Sequence, residues 1–343
     1  MSRWKIGKAQ SSLISVKIAL LSTFIGAIVG AARSSGDAFV ADSVFGALIG
    51  LVVSTCCLVA EFQLFSNPRR RFARRLKPYY LMALRGAAYS FFIVFGLALP
   101  GWLSDAPPLW QDPAFFEVFV ISALIAYSFS IGVEITRLLG PEATVALVSG
   151  RYSQARLENR VILIADVIGS TALAEKIGQL RFHDFLRDVA LDLAGPVEAL
   201  RGSIHRYIGD AVIVTWPLTS GIANDACLVC AQEMHRALNK RAQFYYYTYG
   251  TEARIRIGIH CGEVAAGEIG DWKKEIALLG DPMNTAARIE GAAKSFDSGI
   301  VISNSVAPLL SPAARAGLSR LPDFSASGKR ESLVLWSAPT NSI

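Results

Sequence analysis

Asp166 and Asp210 are the residues in this 343-residue chain whose type and setting point most directly to chemistry. Each stands where an apolar run meets turn-like sequence. The first closes Val161-Ile162-Leu163-Ile164-Ala165 and opens Val167-Ile168-Gly169-Ser170-Thr171. The second lies in Tyr207-Ile208-Gly209-Asp210-Ala211-Val212, where Gly209-Asp210 reads as the two-residue turn of a β-hairpin. A carboxylate has no packing reason to end a core strand, but it can hold a hard cation such as Mg²⁺ beside phosphate oxygens. The pattern points to an enzyme acting on a nucleotide phosphate.

Two further segments carry polar groups with a use. The loop after Asp166 joins a strand to a helix, so its free N–H groups and the helix dipole can receive phosphate oxygens, and Gly169 permits close approach. It is not a Walker A loop, whose lysine and spacing are absent. The competing reading is that Asp166 and Ser170 simply cap the helix. In Gly280-Asp281-Pro282-Met283-Asn284-Thr285-Ala286-Ala287-Arg288-Ile289-Glu290, Asp281 suits an N-cap and Pro282 a first helical residue. Asn284 and Arg288 then lie one turn apart on one face, able to orient a ribose and to meet charge on a transferring phosphoryl group. The bland alternative pairs Arg288 with Glu290 on a solvated face.

The elements that must position these groups alternate. Strand 160–167 precedes a helix over 171–200, interrupted near Gly195-Pro196. A hairpin follows at 203–208 and 211–216, then a helix at 222–242. A second hairpin, 253–260 with 263–269, turns at Cys261-Gly262; a helix at 282–293 and late strands at 299–303 and 333–337 complete the pattern. Helices interleaved with antiparallel hairpins indicate an α+β, ferredoxin-like βαββαβ domain. In such a sheet the end of the first strand lies beside the first hairpin turn, which brings Asp166 to Asp210 although 44 residues separate them.

Composition adds a second region. The hydrophobic fraction of 52% and mean hydropathy of +0.38 are high for a soluble protein, and the excess lies before residue 136. Segments 14–32, 43–60, 81–100 and 115–135 are long and apolar enough to span a bilayer, which takes roughly 20 residues. Arg3, Lys5 and Lys8 precede the first, and Arg69, Arg70, Arg71, Arg74, Arg75 and Lys77 lie between the second and third. The positive-inside rule then places both termini in the cytoplasm, with an uncleaved anchor in the inner (plasma) membrane in preference to a signal peptide. Gly26, Gly30, Gly46 and Gly50 form small-xxx-small patterns that permit close helix contact, between chains or within one. The expected organisation is a four-span multi-pass α-helical anchor at 1–136, a juxtamembrane linker at 137–159, a catalytic domain at 160–338 and a tail at 339–343.

The net charge of +6 owes much to the arginine cluster, whose natural neighbour is anionic lipid. No nucleic-acid recognition module is visible, so no nucleic-acid partner is expected. Five cysteines make no disulfide framework, and Cys227 and Cys230 read as small core residues of a helix. His183, His205, His235 and His260 have no metal partner at useful spacing. Phe244-Tyr245-Tyr246-Tyr247 reads as a loop packed on the domain.

Taken together, 164–171, 207–212, the run Ile257-Gly258-Ile259-His260-Cys261-Gly262-Glu263-Val264-Ala265-Ala266-Gly267 and 280–288 closely resemble the catalytic domain of class III nucleotidyl cyclases, and the approach Gly150-Arg151-Tyr152 resembles the linker of bacterial membrane-anchored members. The resemblance runs from about Val161 to Leu335. It implies that Asp166 and Asp210, with the Val167 carbonyl, hold two Mg²⁺ or Mn²⁺ ions. It further implies that Gly169, Ser170 and Thr171 line the nucleotide, that Arg256 and Lys329 touch the triphosphate, that Asn284 orients the ribose and that Arg288 stabilises the α-phosphate. The implied reaction is attack of the ribose 3′-hydroxyl on the α-phosphate of ATP, giving cyclic AMP and pyrophosphate. Sites of this family are shared across a dimer, so a homodimer is implied, with Asp166, Asp210 and Arg256 from one chain and Asn284, Arg288 and Lys329 from the other. The purine-reading pair departs from the pattern, since Arg206 and Ala277 stand where Lys and Asp or Thr are usual. The Ala277 side chain cannot accept from an adenine amino group, which leaves ATP over GTP open, with guanylate cyclase and a silent cyclase-like module as alternatives.

Overall fold

The computed structural model describes residues 20, 22–28, 30–31, 39–61, 78–103, 115–324 and 332–340. Two compact units emerge, one within Lys8–Arg137 and the other within Leu138–Ile343.

The first unit is helical, with α1 at Phe39–Ala60, α2 at Pro78–Leu103 and α3 at Phe115–Leu139. Two stretches, Tyr80–Ala98 and Phe115–Thr136, are long and apolar enough to cross a membrane, and Gly46–Ala60 is a shorter apolar helix. Residues 14–19, 21, 29 and 32 of the expected first span, and the whole arginine cluster, lie outside the described residues. Residues 22–28 are helical and pack on α1 within one chain. A side chain on Gly26 would stand 2.2 Å from the Gly46 carbonyl oxygen, and one on Gly50 2.4 Å from that of Ser22. Three charges meet in the unit: Arg85 lies 3.0 Å from Glu134 and 3.5 Å from Glu61, to which the Tyr89 hydroxyl donates at 2.7 Å.

The second unit begins with α4, Pro141–Ser149, and β1, Arg156–Val167. Next come α5 (Ser170–Ile177), α6 (Gln179–Ala199), β2 (Ser203–Ile208), β3 (Ala211–Pro217), α7 (Leu218–Ile222), α8 (Ala226–Asn239) and α9 (Ala242–Tyr249). Then follow β4 (Ile255–Ile269), β5 (Glu275–Leu279), α10 (Asp281–Ser295), β6 (Ile300–Ser303), α11 (Pro312–Ala316), β7 (Ser319–Arg320) and β8 (Leu335–Ala338). The sheet runs β2-β3-β1-β4-β6-β8-β7, with β5 paired to β4. Its β2-β3-β1-β4 part is antiparallel throughout, while β4 and β6 are parallel, so the sheet is mixed. The continuous apolar run of β1 follows from burial on both faces. Val161, Leu163 and Ala165 join the core under α6, α8 and α9, while Ile162 and Ile164 pack with Val264, Ala266 and Ala286 of α10.

Several expected elements differ. The strand β1 starts at Arg156, four residues before the expected boundary at 160, because 156–159 pair with 263–266 of β4. The long helix breaks at Gly178, where φ is +81°, and Pro196 lies inside α6. The segment read as a hairpin turning at Cys261-Gly262 is one strand, β4. Its Gly262 serves close packing, since a side chain there would meet Pro282 at 2.6 Å. The aromatic run at 244–247 is helical in α9, because the hydroxyls of Tyr245 and Tyr249 donate to the buried carboxylates of Asp192 and Asp188 at 2.6 and 2.7 Å. Cys227 and Cys230 are buried and free in α8.

Candidate active site

The β1 register sets the site. Asp166 pairs with Ala211 of β3 on one side and with Arg256 of β4 on the other. The β2–β3 turn at Gly209-Asp210 therefore delivers the Asp210 carboxylate to Asp166, whose protonated form can hydrogen-bond to it. Gly209 takes φ of +59°, the left-handed region that turns of this kind need. Burial, then the Asp210 charge and that hydrogen bond, push the Asp166 carboxyl up to about 6, while the Val167 amide and Arg256 pull it down. Two acids held this close disfavour double ionisation and so favour an added cation. By their hard oxygen donors the residues fit a divalent ion such as Mg²⁺ or Mn²⁺.

Gly169, with φ of +72°, is the N-cap of α5, and the helix start has no side-chain cap bond. Neither Asp166 nor Ser170 is thus spent on capping, and Gly169, Ser170 and Thr171 lie partly or fully exposed in the loop beyond Asp166. At the start of α10 the cap is Gly280, with φ of +141°, not Asp281; Asp281 opens the helix and accepts from the Thr285 hydroxyl at 3.1 Å.

On α10, Thr285, Ala286, Ile289, Ala292 and Ala293 are buried toward the domain. Asn284 is exposed and Arg288 half-buried, one turn apart on the other side. Among the described residues Arg288 makes no ion pair with Glu290. The structure therefore brings Asp166, Asp210 and Arg256 together and sets Asn284 and Arg288 on the outward face of α10. Lys329 lies outside the described residues.

The two positions expected to read the purine, Arg206 and Ala277, are differently furnished. A bulge between Ile204 and Arg206 interrupts the β2–β3 ladder, and Arg206 pairs with Glu275 of β5 at 2.9 Å. Ala277, two residues further along β5, is buried. Glu275 escaped the sequence reading because only the folding of β5 toward β2 gives it a partner. Glu290 escaped it too. Burial and the Asp166 charge push its carboxyl up to about 7, opposed by Arg256, with Asp210 raising and Lys294 lowering it.

The family model described as the adenylate and guanylate cyclase catalytic domain matches residues 152–336. This chain belongs to that cyclase family. Among curated relatives, adenylate cyclase 2 of Rhizobium meliloti (strain 1021) is 28% identical over 309 residues, covering 87% of this chain and 85% of the relative. An adenylate cyclase of Anabaena cylindrica is 30% identical over 179 residues, which is 51% of this chain but only 34% of that protein. Among solved structures, a bacterial light-regulated adenylyl cyclase shares the fold with a TM-score of 0.56 at 16% identity, over 67% of each chain. Nucleotide cyclisation, a phosphorus–oxygen lyase reaction, is the activity of the family.

Proposed function

We propose that this cyclase is a membrane-anchored adenylate cyclase that converts ATP to 3′,5′-cyclic AMP and pyrophosphate. The observation that carries the reading is the facing pair Asp166 and Asp210 at the end of β1, within the segment the cyclase family model matches. The likeness to the adenylate cyclases of Rhizobium meliloti and Anabaena cylindrica supports ATP as the substrate. The reaction makes one bond between the ribose 3′-oxygen and the α-phosphorus and breaks the bond from that phosphorus to the bridging oxygen. The hydroxyl loses its proton and pyrophosphate leaves.

Asp166 and Asp210, with the Val167 carbonyl, would hold two Mg²⁺ or Mn²⁺ ions. Bound there, such ions supply charge neutralisation for the triphosphate and acidify the ribose hydroxyl. Gly169, Ser170 and Thr171 would line the phosphates, with Arg256 and Lys329 on their charge. Asn284 would orient the ribose and Arg288 would meet the charge that builds on the α-phosphate. The outward face of α10 is what a second chain would meet, which supports a homodimer with two shared sites. The apolar first unit would serve as a four-span anchor with both termini cytoplasmic and 137–159 as the linker. The lipid bilayer is thus the partner of the first 136 residues.

Guanylate cyclase is the second reading, favoured by one feature. Arg206 and Glu275 offer a donor and an acceptor side by side, which also matches the guanine edge. The deciding experiment measures cyclic AMP and cyclic GMP formed from ATP and GTP, each with Mg²⁺ and Mn²⁺. Preferential cyclic AMP formation is expected. Exclusive use of GTP would replace the substrate, and no product from either would replace the enzymatic reading with a silent module.

A further inference from the structure

The helix α10 carries a charge on each of two sides. Asn284 and Arg288 leave it on the outward side, while Glu290 lies where the helix touches the sheet. The contact is made by Gly258 of β4: a side chain there would stand 2.4 Å from the Glu290 backbone nitrogen and 2.8 Å from its Cα. Gly258 pairs with Ile164 of β1, and Arg256, two residues earlier on the same face, pairs with Asp166. Two residues of strand span about 7 Å, so Glu290 enters the sheet face one side-chain length from Arg256. Neither Glu290 nor Arg256 makes a side-chain hydrogen bond or ion pair among the described residues. No group of three or more His, Cys, Asp or Glu that could hold a metal ion occurs among them either.

We propose that Glu290 is a positioning residue of the cyclase site in its own chain: from the sheet side of α10 it supplies the counter-charge that directs the Arg256 guanidinium. Helix α10 then serves two sites at once. Its inner side steadies the half-site of its own chain, and its outer side reaches the site of the partner. This assignment of halves rests on the shared-site reading above.

The test uses full-length chains in membranes, co-expressed as Asp166→Ala with Arg288→Ala. In the mixed dimer one site is doubly damaged and the other intact. The intact site takes its aspartates from the Arg288→Ala chain. Glu290→Gln is then added to one chain or the other, and the KM for ATP of the rescued activity is measured. We expect KM to rise several-fold when Glu290→Gln is on the Arg288→Ala chain and to stay unchanged when it is on the Asp166→Ala chain. A rise from the Asp166→Ala chain, from both placements equally, or from neither overturns the proposal. If the two parent variants do not rescue each other, the shared-site reading fails instead. In that event a double-mutant cycle judges Glu290 by itself. Glu290→Gln should raise KM beside the native Arg256 and add nothing beside Arg256→Ala, whereas additive effects would overturn it. Glu290→Asp, which restores the charge on a shorter stem, should recover part of the loss.

Discussion

Arg206 of β2 and Glu275 of β5 form an ion pair at 2.9 Å, and both remain about 40% exposed. A pair so open to water contributes little to stability, about 0–1 kcal/mol, so its consequence is for what docks beside it. Adenine presents an acceptor and an amino donor on neighbouring atoms, and guanine presents an acceptor and two donors. The pair can serve either, with Arg206 donating and Glu275 accepting, where Ala277 offers no side-chain acceptor. Glu275→Ala should change the ratio of kcat/KM for ATP and GTP by about tenfold, the value of one good hydrogen bond. An unchanged ratio in a steady-state competition assay would remove Glu275 from base selection.

Arg160 illustrates the opposite case, a cation with almost no exposure. From β1 it donates to Glu158 at 2.8 Å, to the Tyr152 hydroxyl at 2.7 Å, to Thr215 at 3.2 Å and to Glu142 of α4. Its side chain is 2% exposed, and Glu158 is 14% exposed. Arg160→Ala removes the cation from Glu142 and leaves Glu158 only the exposed Arg151 at 2.8 Å, and should cost on the order of 3 kcal/mol. Arg160→Met should cost less, since it fills the space without a charge to satisfy. Melting temperatures of the detergent-solubilised chain rank the two, and equal losses would show that volume, not charge, is what Arg160 supplies.

Asp166 predicts a trade between stability and turnover. Its folded pKa, about 6, lies above its ordinary value of 3.8, so the folded state binds more protons between them. Stability from this group is full below about pH 4 and is lost as pH rises through 6. The half-buried His205 and His235, whose pKa values are lowered chiefly by desolvation, act in the opposite sense below pH 6.5. The observable is therefore a difference between two chains. Without divalent ions, Asp166→Asn should melt higher than the native protein at pH 7.5 and about equally at pH 4. Added Mn²⁺ should raise the native melting temperature at pH 7.5 and leave the variant unmoved. A variant less stable than the native chain at pH 7.5 would contradict the crowding of Asp166 by Asp210.

Much of this site was legible in sequence because its residues are placed by local rules. An apolar run ending in aspartate and a Gly-Asp turn locate Asp166 and Asp210 on adjacent strands, and β-register does the rest. What stayed hidden depends on contacts between elements distant in sequence. Gly262 looks like a turn residue but is a gap for Pro282, and Gly258 looks like a strand defect but admits the α10 backbone. The same packing gives Glu290 its charged neighbours. In α9, Tyr245 looks like a loop aromatic until the Asp192 carboxylate of α6 is seen to receive its hydroxyl. Spacing within one segment carries no information about such partners.

Arg288 offers the sharpest division between binding and turnover. It is half-buried on the outward face of α10 and makes no ion pair among the described residues, so no described residue of its own chain holds its guanidinium. A cation that meets charge only as the charge develops on the α-phosphate stabilises the transition state more than the bound nucleotide. Such an interaction is lost from kcat, whereas one made equally with bound ATP is lost from KM. Arg288→Ala should therefore lower kcat by on the order of 10²-fold or more, by analogy with removal of one oxyanion donor, with KM for ATP nearly unchanged. Arg288→Lys should recover only a small part, because an ammonium lacks the planar fork that spans two phosphate oxygens. Arg256→Ala should show the reverse balance, with KM rising more than kcat falls, since the proposed assignment puts that residue on the ground-state triphosphate. Should Arg288→Ala alter KM alone, the two arginines would exchange roles, and α10 would bind nucleotide without driving its cyclisation.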